Sequence, residues 1–334
     1  MIRLVAGPEL KLLAHLGSAM GLRVEGTRLV EGKAPTSLRG ASIADPAYLD
    51  WEGELRREHI RVLASWGANT IRVPVHPIFW RRLSDYAERY LDLVLSWTRE
   101  ESMYAIIDWH AIGNPITRES PFPSWARREP WGGPPYDPDL RLARSFWAYI
   151  SRRYSGWPNV IYELFNEPAW ISWRAWVRVA ELLLRAVREN DEEAPVLVAG
   201  TSWCYDLSWL KKAQVKDSNV AYATHVYPYL GLRRWDKSWG SLCHEFPILI
   251  TEWGFKEDAS IWSWHLRGSA DGFGRQLMEY ARGRVAGWVA WVFHPTWEPN
   301  MLANWRYELT SFGSFVREQL ALHMARGNLI KAGR

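Results

Sequence analysis

The sequence predicts a (β/α)8 barrel, the TIM-barrel class of α/β fold, preceded by an N-terminal β-hairpin. Short apolar, β-branched runs recur about eight times along the chain. Segments with helical spacing separate most of them, the alternation that builds a parallel sheet with helices outside it. Polar and aromatic residues gather where the runs end, and strand ends of a barrel converge on one face.

In chain order, residues 22–25 and 28–31 alternate in polarity around Gly26-Thr27, a hairpin placed to plug the bottom of a barrel. Residues 1–35 are therefore expected as an extension of one domain spanning 1–334. Residues 36–42 make strand one, and 53–66 a helix closed by Gly67. Strand two is 70–75, the next helix 84–101, and strand three 104–110. Further strands fall at 160–165, 195–200, 220–225, 248–252 and 287–293, with helices around 172–190, 271–283 and 310–325. Helical spacing is weakest after strands five and six. The irregular piece at 111–139, dense in Pro and Gly and carrying Trp125 and Trp131, would wall the face on which the strands end.

Two runs end in carboxylates. Val160-Ile161-Tyr162-Glu163-Leu164-Phe165 leads into Asn166-Glu167-Pro168, and Pro247-Ile248-Leu249-Ile250-Thr251 delivers Glu252-Trp253-Gly254. Proline cannot extend a central strand, so Asn166 and Glu167 belong at a strand's edge. In a barrel the two glutamates meet at one site.

Composition narrows the alternatives. Lysine and arginine number 41 against 37 acidic residues, scattered without a basic arm of the kind that grips nucleic acid. No stretch approaches the roughly 20 uninterrupted apolar residues of a membrane span. Glu9, Lys11 and His15 interrupt any signal-peptide core near the start. Cys204 and Cys243 lack disulfide or metal spacing and read as buried thiols. Arginine exceeds lysine and glutamine is scarce, a balance that suits a thermostable protein. The 23 tryptophans exceed what packing alone asks for, and aromatic faces stack on sugar rings.

The strand ends, in order, carry Arg72, His110, Asn166 with Glu167, His225 with Tyr227, Glu252 and Trp291. This set resembles the cellulases of glycoside hydrolase family 5. The resemblance covers nearly the whole chain and rests on Ile107-Asp108-Trp109-His110, Asn166-Glu167-Pro168, Thr224-His225-Val226-Tyr227 and Thr251-Glu252-Trp253-Gly254. Gly200-Thr201-Ser202-Trp203 also resembles a segment whose tryptophan lines the cleft, whereas Phe293-His294-Pro295-Thr296-Trp297 departs from the family's pattern.

The resemblance implies a retaining endo-β-1,4-glucanase, with Glu252 as nucleophile and Glu167 as acid and then base. Arg72 would hold Glu252 ionised, and Tyr227 would donate to it. Asn166 would bind a sugar 2-hydroxyl, His110 and His225 would orient hydroxyls, and Trp291 and Trp203 would carry sugar faces. No cofactor or metal is expected, since two carboxylates and water complete the chemistry. Asp108, His244, His265 and His294 are expected to be structural, and Trp109, Trp170, Trp297 and Trp305 have no assigned role. The expected partner is a β-glucan met outside the cell by a monomer. A β-mannanase, a non-catalytic sugar-binding barrel and a metal-dependent hydrolase are the alternatives.

Overall fold

The computed structural model describes residues 21–121 and 135–332, with side chains described as far as residue 322. Trp125 and Trp131 lie outside the described residues, as does most of the N-terminal extension.

The hairpin forms where alternation placed it. β1 (Leu22–Glu25) pairs antiparallel with β2 (Arg28–Glu31), and β3 (Ala34–Thr36) adds a third strand. Leu22 and Leu29 bury against the barrel core. Asn219, just before a barrel strand, accepts from the Val24 amide at 2.8 Å. The small sheet is thereby fixed at the amino-terminal end of the barrel, opposite the strand ends.

Eight strands close the barrel: β4 (Leu38–Ser42), β5 (Thr70–Val75), β6 (Tyr104–Trp109), β8 (Val160–Glu163), β10 (Val196–Ala199), β11 (Val220–Val226), β12 (Ile248–Trp253) and β13 (Gly287–Ala290). They pair in parallel in chain order, and β13 returns to β4. Each is buried along its length apart from Arg39 and Tyr104, which are partly exposed, so their runs are largely apolar rather than alternating. Two short strands stand outside the barrel: β7 (Ile112–Gly113) and β9 (Glu167–Pro168) pair with each other.

Around the barrel run α1 (Pro46–Trp51), α2 (Arg57–Ser65), α3 (Pro77–Arg82), α4 (Asp92–Glu100), α5 (Leu140–Tyr154), α6 (Trp173–Arg188), α7 (Leu232–Ser238), α8 (Arg275–Ala281) and α9 (Ser311–Ala332). Of the two helices between β4 and β5, the second lies within the expected 53–66 but starts only at Arg57, and the first was not expected. Asp45 caps the first through the Ala47 amide, Pro46 starts it, and Gly53 at φ +72° ends it before Arg57 begins the second. A π-turn at Ala87–Leu91 opens the helix expected from 84. Strand four stops at Glu163, and strand eight stops at Ala290, where the Val292 amide turns to the Pro299 carbonyl.

Many tryptophans serve the core after all. Trp109, Trp147, Trp176, Trp235, Trp239 and Trp253 are among the largest fully buried side chains. Trp147 of α5 and Trp176 of α6 donate their indole N–H to the Leu164 and Ala199 carbonyls, pinning two helices to strand ends. Among the described residues no helix is long and apolar enough to cross a membrane.

β4 and β5 approach closely at Gly40, where an added Cβ would lie 1.7 Å from the Thr70 carbonyl oxygen. Gly40→Ala should therefore cost about 1–3 kcal/mol of stability through backbone displacement. Urea unfolding of the two proteins measures the difference.

Candidate active site

Arg72 on β5 is fully buried, and its guanidinium holds four groups from three other strand ends. Nε donates to Glu163 at 2.6 Å, Nη1 to Glu252 at 2.7 Å, and Nη2 to the Asn166 side-chain oxygen at 2.8 Å. Nη2 also lies 3.0 Å from Asp108 Oδ2. The cluster thus draws on β5, β6, β12 and the segment running from β8, which only closure of the barrel brings together.

Glu167 is held by the backbone. Beyond β8 the chain bends, and the amides of Asn166, Glu167 and Ala169 donate to the carbonyls of Trp109, Ala111 and Gly113. Pro168 falls between two donating positions of this ladder, where its missing N–H costs no hydrogen bond. Glu252 is placed by a register shift between Thr224 and His225, which sets His225 opposite Glu252. Tyr227, two residues on, donates to Glu252 Oε2 at 3.0 Å.

One donor atom each from Glu167, His225 and Glu252 lies within 4.8 Å of the others. His225 Nδ1 is 2.9 Å from Glu167 Oε1 and 3.4 Å from Glu252 Oε2. This trio is the group of possible metal ligands found among the described residues, and linear spacing did not reveal it. Arg72 already supplies a positive charge to Glu252, and His225 Nδ1 is engaged by Glu167, so the arrangement suits proton transfer better than cation binding.

Electrostatics separates the two glutamates. Burial and then the Glu252 charge push Glu167 well above the usual carboxylate range, and no cation contacts it directly. Burial also raises Glu252, to about 7, but Arg72 and the Tyr227 hydroxyl oppose that rise. Of the pair, Glu167 is the one that keeps a proton. Burial pushes His110 and His225 well down, so both rings are neutral.

Asp108, expected as structural, holds two members of the cluster in place: its Oδ2 contacts Arg72 and lies 2.6 Å from His110 Nδ1. Glu163 and His76 were missed. Glu163 sits inside an apolar run that reads as plain strand. His76 follows β5, is held by Asp45 at 3.0 Å, and packs edge-on against His110 at 4.7 Å between ring centres. An ionisable residue within an otherwise apolar barrel strand, as at Glu163, was the available signal.

Among the aromatics, Trp291 is only 8% exposed, lying just beyond β13. It stacks on His110 at 5.0 Å, lies near-parallel to Trp297 at 6.0 Å, and has the Arg72 guanidinium carbon 6.0 Å from its ring centre. Trp203 is 39% exposed and meets Trp170 edge to face at 5.2 Å. His294 bonds Glu52 at 2.9 Å, away from the carboxylate pair.

The cellulase model of glycosyl hydrolase family 5 matches residues 29–296. The chain belongs to this family. It is 25% identical over 321 residues to Endoglucanase N of Pectobacterium atrosepticum, covering 90% of this chain and 65% of that protein. Endoglucanase 5 of Pectobacterium carotovorum is also 25% identical over 321 residues, and 57% of its length is covered. The family member thus spans less than two thirds of these curated relatives. A β-glucanase from Saccharophagus degradans, solved with cellotetraose, superposes with a TM-score of 0.83 at 29% identity, covering 91% of this chain and 94% of that one. The Thermobifida fusca endoglucanase Cel5A catalytic domain shares the fold, with a TM-score of 0.73 at 20% identity over 90% of this chain and 97% of that one.

Removing Arg72 leaves buried carboxylates without their cation. Arg72→Met should lower stability by about 3–5 kcal/mol at neutral pH. Asp108 and Glu163 are raised by burial to about 7, so both favour the protonated fold, and their contribution falls as pH rises toward 7. Without Arg72 they rise further, so the deficit should shrink at acidic pH. Denaturant unfolding across pH 4–8 checks the sign.

Proposed function

We propose that this family 5 member is a retaining endo-β-1,4-glucanase, with Glu252 as nucleophile and Glu167 as acid and then base. The observation that carries the reading is the Glu167–Glu252 pair, with oxygens within 4.8 Å of each other and unlike surroundings. Retaining pairs stand about 5–5.5 Å apart, whereas inverting pairs stand about 6.5–9.5 Å apart to admit a water.

In the first step a Glu252 oxygen attacks the anomeric carbon while Glu167 gives its proton to the leaving oxygen. Arg72 and Tyr227 keep electron density on Glu252 as a carboxylate before attack. Once the ester forms, the Glu252 charge is gone and Glu167, now ionised, is less opposed by its neighbour. Glu167 then takes a proton from water, which displaces Glu252. His225 Nδ1 remains within reach of Glu167 in both states.

Asn166, oriented by Arg72 Nη2, is assigned to the sugar 2-hydroxyl, a contact that strengthens toward the transition state. His110, fixed by Asp108, presents its other ring nitrogen for a hydroxyl. Trp291 supplies a firm apolar wall and Trp203 a more exposed one. The reading is also supported by the cellotetraose bound to the Saccharophagus β-glucanase. A polymeric substrate places the enzyme's work outside the cell.

The two glutamates should fail differently. Glu252→Ala should abolish turnover, and azide should restore it with inverted product, because the small anion attacks directly from the vacated space. Glu167→Ala should still form the glycosyl-enzyme from an activated aryl glycoside, which needs little protonation. Product stereochemistry by proton NMR checks both, and rescue of Glu252→Ala with retention would swap the roles.

The nucleophile must be ionised, so a Glu252 pKa raised to about 7 puts the acid limb of kcat/KM well above the usual glutamate range. Tyr227→Phe removes a bond to the ionised form and should move that limb upward by about one pH unit. A pH–rate profile on soluble glucan measures it. Wild-type protein should also thin carboxymethylcellulose rapidly by internal cleavage, and faster attack on pure mannan would replace the glucanase reading with a mannanase one.

A further inference from the structure

We propose that His294 is a positioning residue: with Glu52 it locks the segment after β13 to the end of α1, and so fixes the tryptophan wall beside the sugar that Glu252 holds. This rests on the assignment of Glu167 and Glu252 made above.

The tautomer of His294 follows from its neighbours. The ring is fully buried, and the backbone amides of Thr296 and Trp297 lie 3.1 and 3.2 Å from Nδ1. An amide N–H can only donate, so Nδ1 carries no proton and accepts from both. Nε2 therefore holds the proton and donates it to Glu52 Oε2 at 2.9 Å. The Thr296 hydroxyl, 3.3 Å from Nδ1, donates there as well. Burial pushes the ring's pKa down to about 3, so it stays neutral and keeps its acceptor. Glu52 directly follows α1 and is also bonded by Tyr48, one turn earlier on that helix. A single imidazole thus ties the two ends of the barrel sequence together.

The groups held by this lock are aromatic. Trp297, whose amide His294 fixes, has its ring centre 4.8 Å from Tyr48 and lies edge-on to His76 at 5.5 Å. It backs Trp291 at 6.0 Å with only 28° between the ring planes. Trp305 closes the other side, edge to face with His294 at 4.8 Å. The Trp291 amide donates to the Trp253 carbonyl at 3.0 Å, next to Glu252, and its ring stacks on His110. Glu167 serves the leaving sugar, so Trp291 borders the unit that stays on Glu252. His294 bonds Glu52 and its own segment, and it acts on that unit through Trp297 and Trp291. Residues 293–297 are the stretch that departs from the family's pattern, so the lock belongs to this chain rather than to the shared catalytic set.

An uncharged wall touches a sugar ring alike before and during reaction. Displacing it weakens binding and leaves the chemical step nearly as fast, which raises KM more than it lowers kcat.

The test is the steady-state kinetics of p-nitrophenyl β-cellobioside. His294→Leu should raise KM about three- to tenfold, the worth of one aromatic contact, with kcat nearly unchanged. Glu52→Ala changes a partly exposed residue, spares the buried ring and should raise KM in the same way. Glu52→Gln, whose side-chain oxygen still accepts from Nε2, should hold KM within about twofold of wild type. Poor folding removes active molecules, so it lowers the apparent kcat and leaves KM alone. A wild-type KM in Glu52→Ala overturns the proposal while leaving the assignment of the glutamates intact. So does a KM as high in Glu52→Gln as in Glu52→Ala, because the hydrogen bond would then not be the cause. Absence of nitrophenol release by the wild-type protein overturns the assignment of the glutamates and this inference with it.

Discussion

The buried guanidinium of Arg72 faces more carboxylate than one positive charge can neutralise. Asp108, Glu163 and Glu252 all touch it, and Glu167 stands beyond Glu252. Taking several carboxylates out of water is costly, so burial returns protons to some of them. The placement of donors decides which. Glu252 receives both Arg72 Nη1 and the Tyr227 hydroxyl, while Glu167 is bonded by the neutral His225. Two chemically identical side chains, both raised by burial, come to differ in how firmly they hold a proton because of surroundings a few ångströms apart.

That division depends on backbone as much as on charge. Glu167 belongs to no barrel strand. It hangs on the short β7–β9 ladder, whose amides and carbonyls fix it more tightly than a free loop would. Gly113 makes the ladder possible, since at φ +133° its Cβ would lie 2.2 Å from the Glu119 carbonyl oxygen. On the opposite side the register shift in β11 brings His225 level with Glu252. Both devices adjust a regular barrel by one or two residues to bring the carboxylates within reach of one another.

Tryptophan content divides along the same line. The side chains of Trp147 and Trp176 reinforce the helix layer by bonding to strand ends, and Trp253 lies within the core. Trp170 and Trp203 are kept out of the core by left-handed backbone. Composition alone therefore overstated the sugar-binding surface, and local conformation separates the two uses.

Strand–helix alternation, the hairpin around Gly26, and the motifs ending in Glu167 and Glu252 were legible in the sequence because each is a local pattern of propensity or residue type. Helix boundaries were less so: the helix expected from 53 starts at Arg57, after Gly53 at φ +72° has ended a separate helix capped by Asp45. Glu163 and His76 escaped because each reads, in linear order, as an ordinary strand or loop residue, and Asp108 was read as structural without its partners. Their role arises only when eight strands close and point their inward side chains at one guanidinium. Sequence determined which groups stand at the strand ends, whereas distance, burial and the sharing of protons among them came from closure, since electrostatic coupling depends on separation in space and exclusion of water, neither of which linear order records.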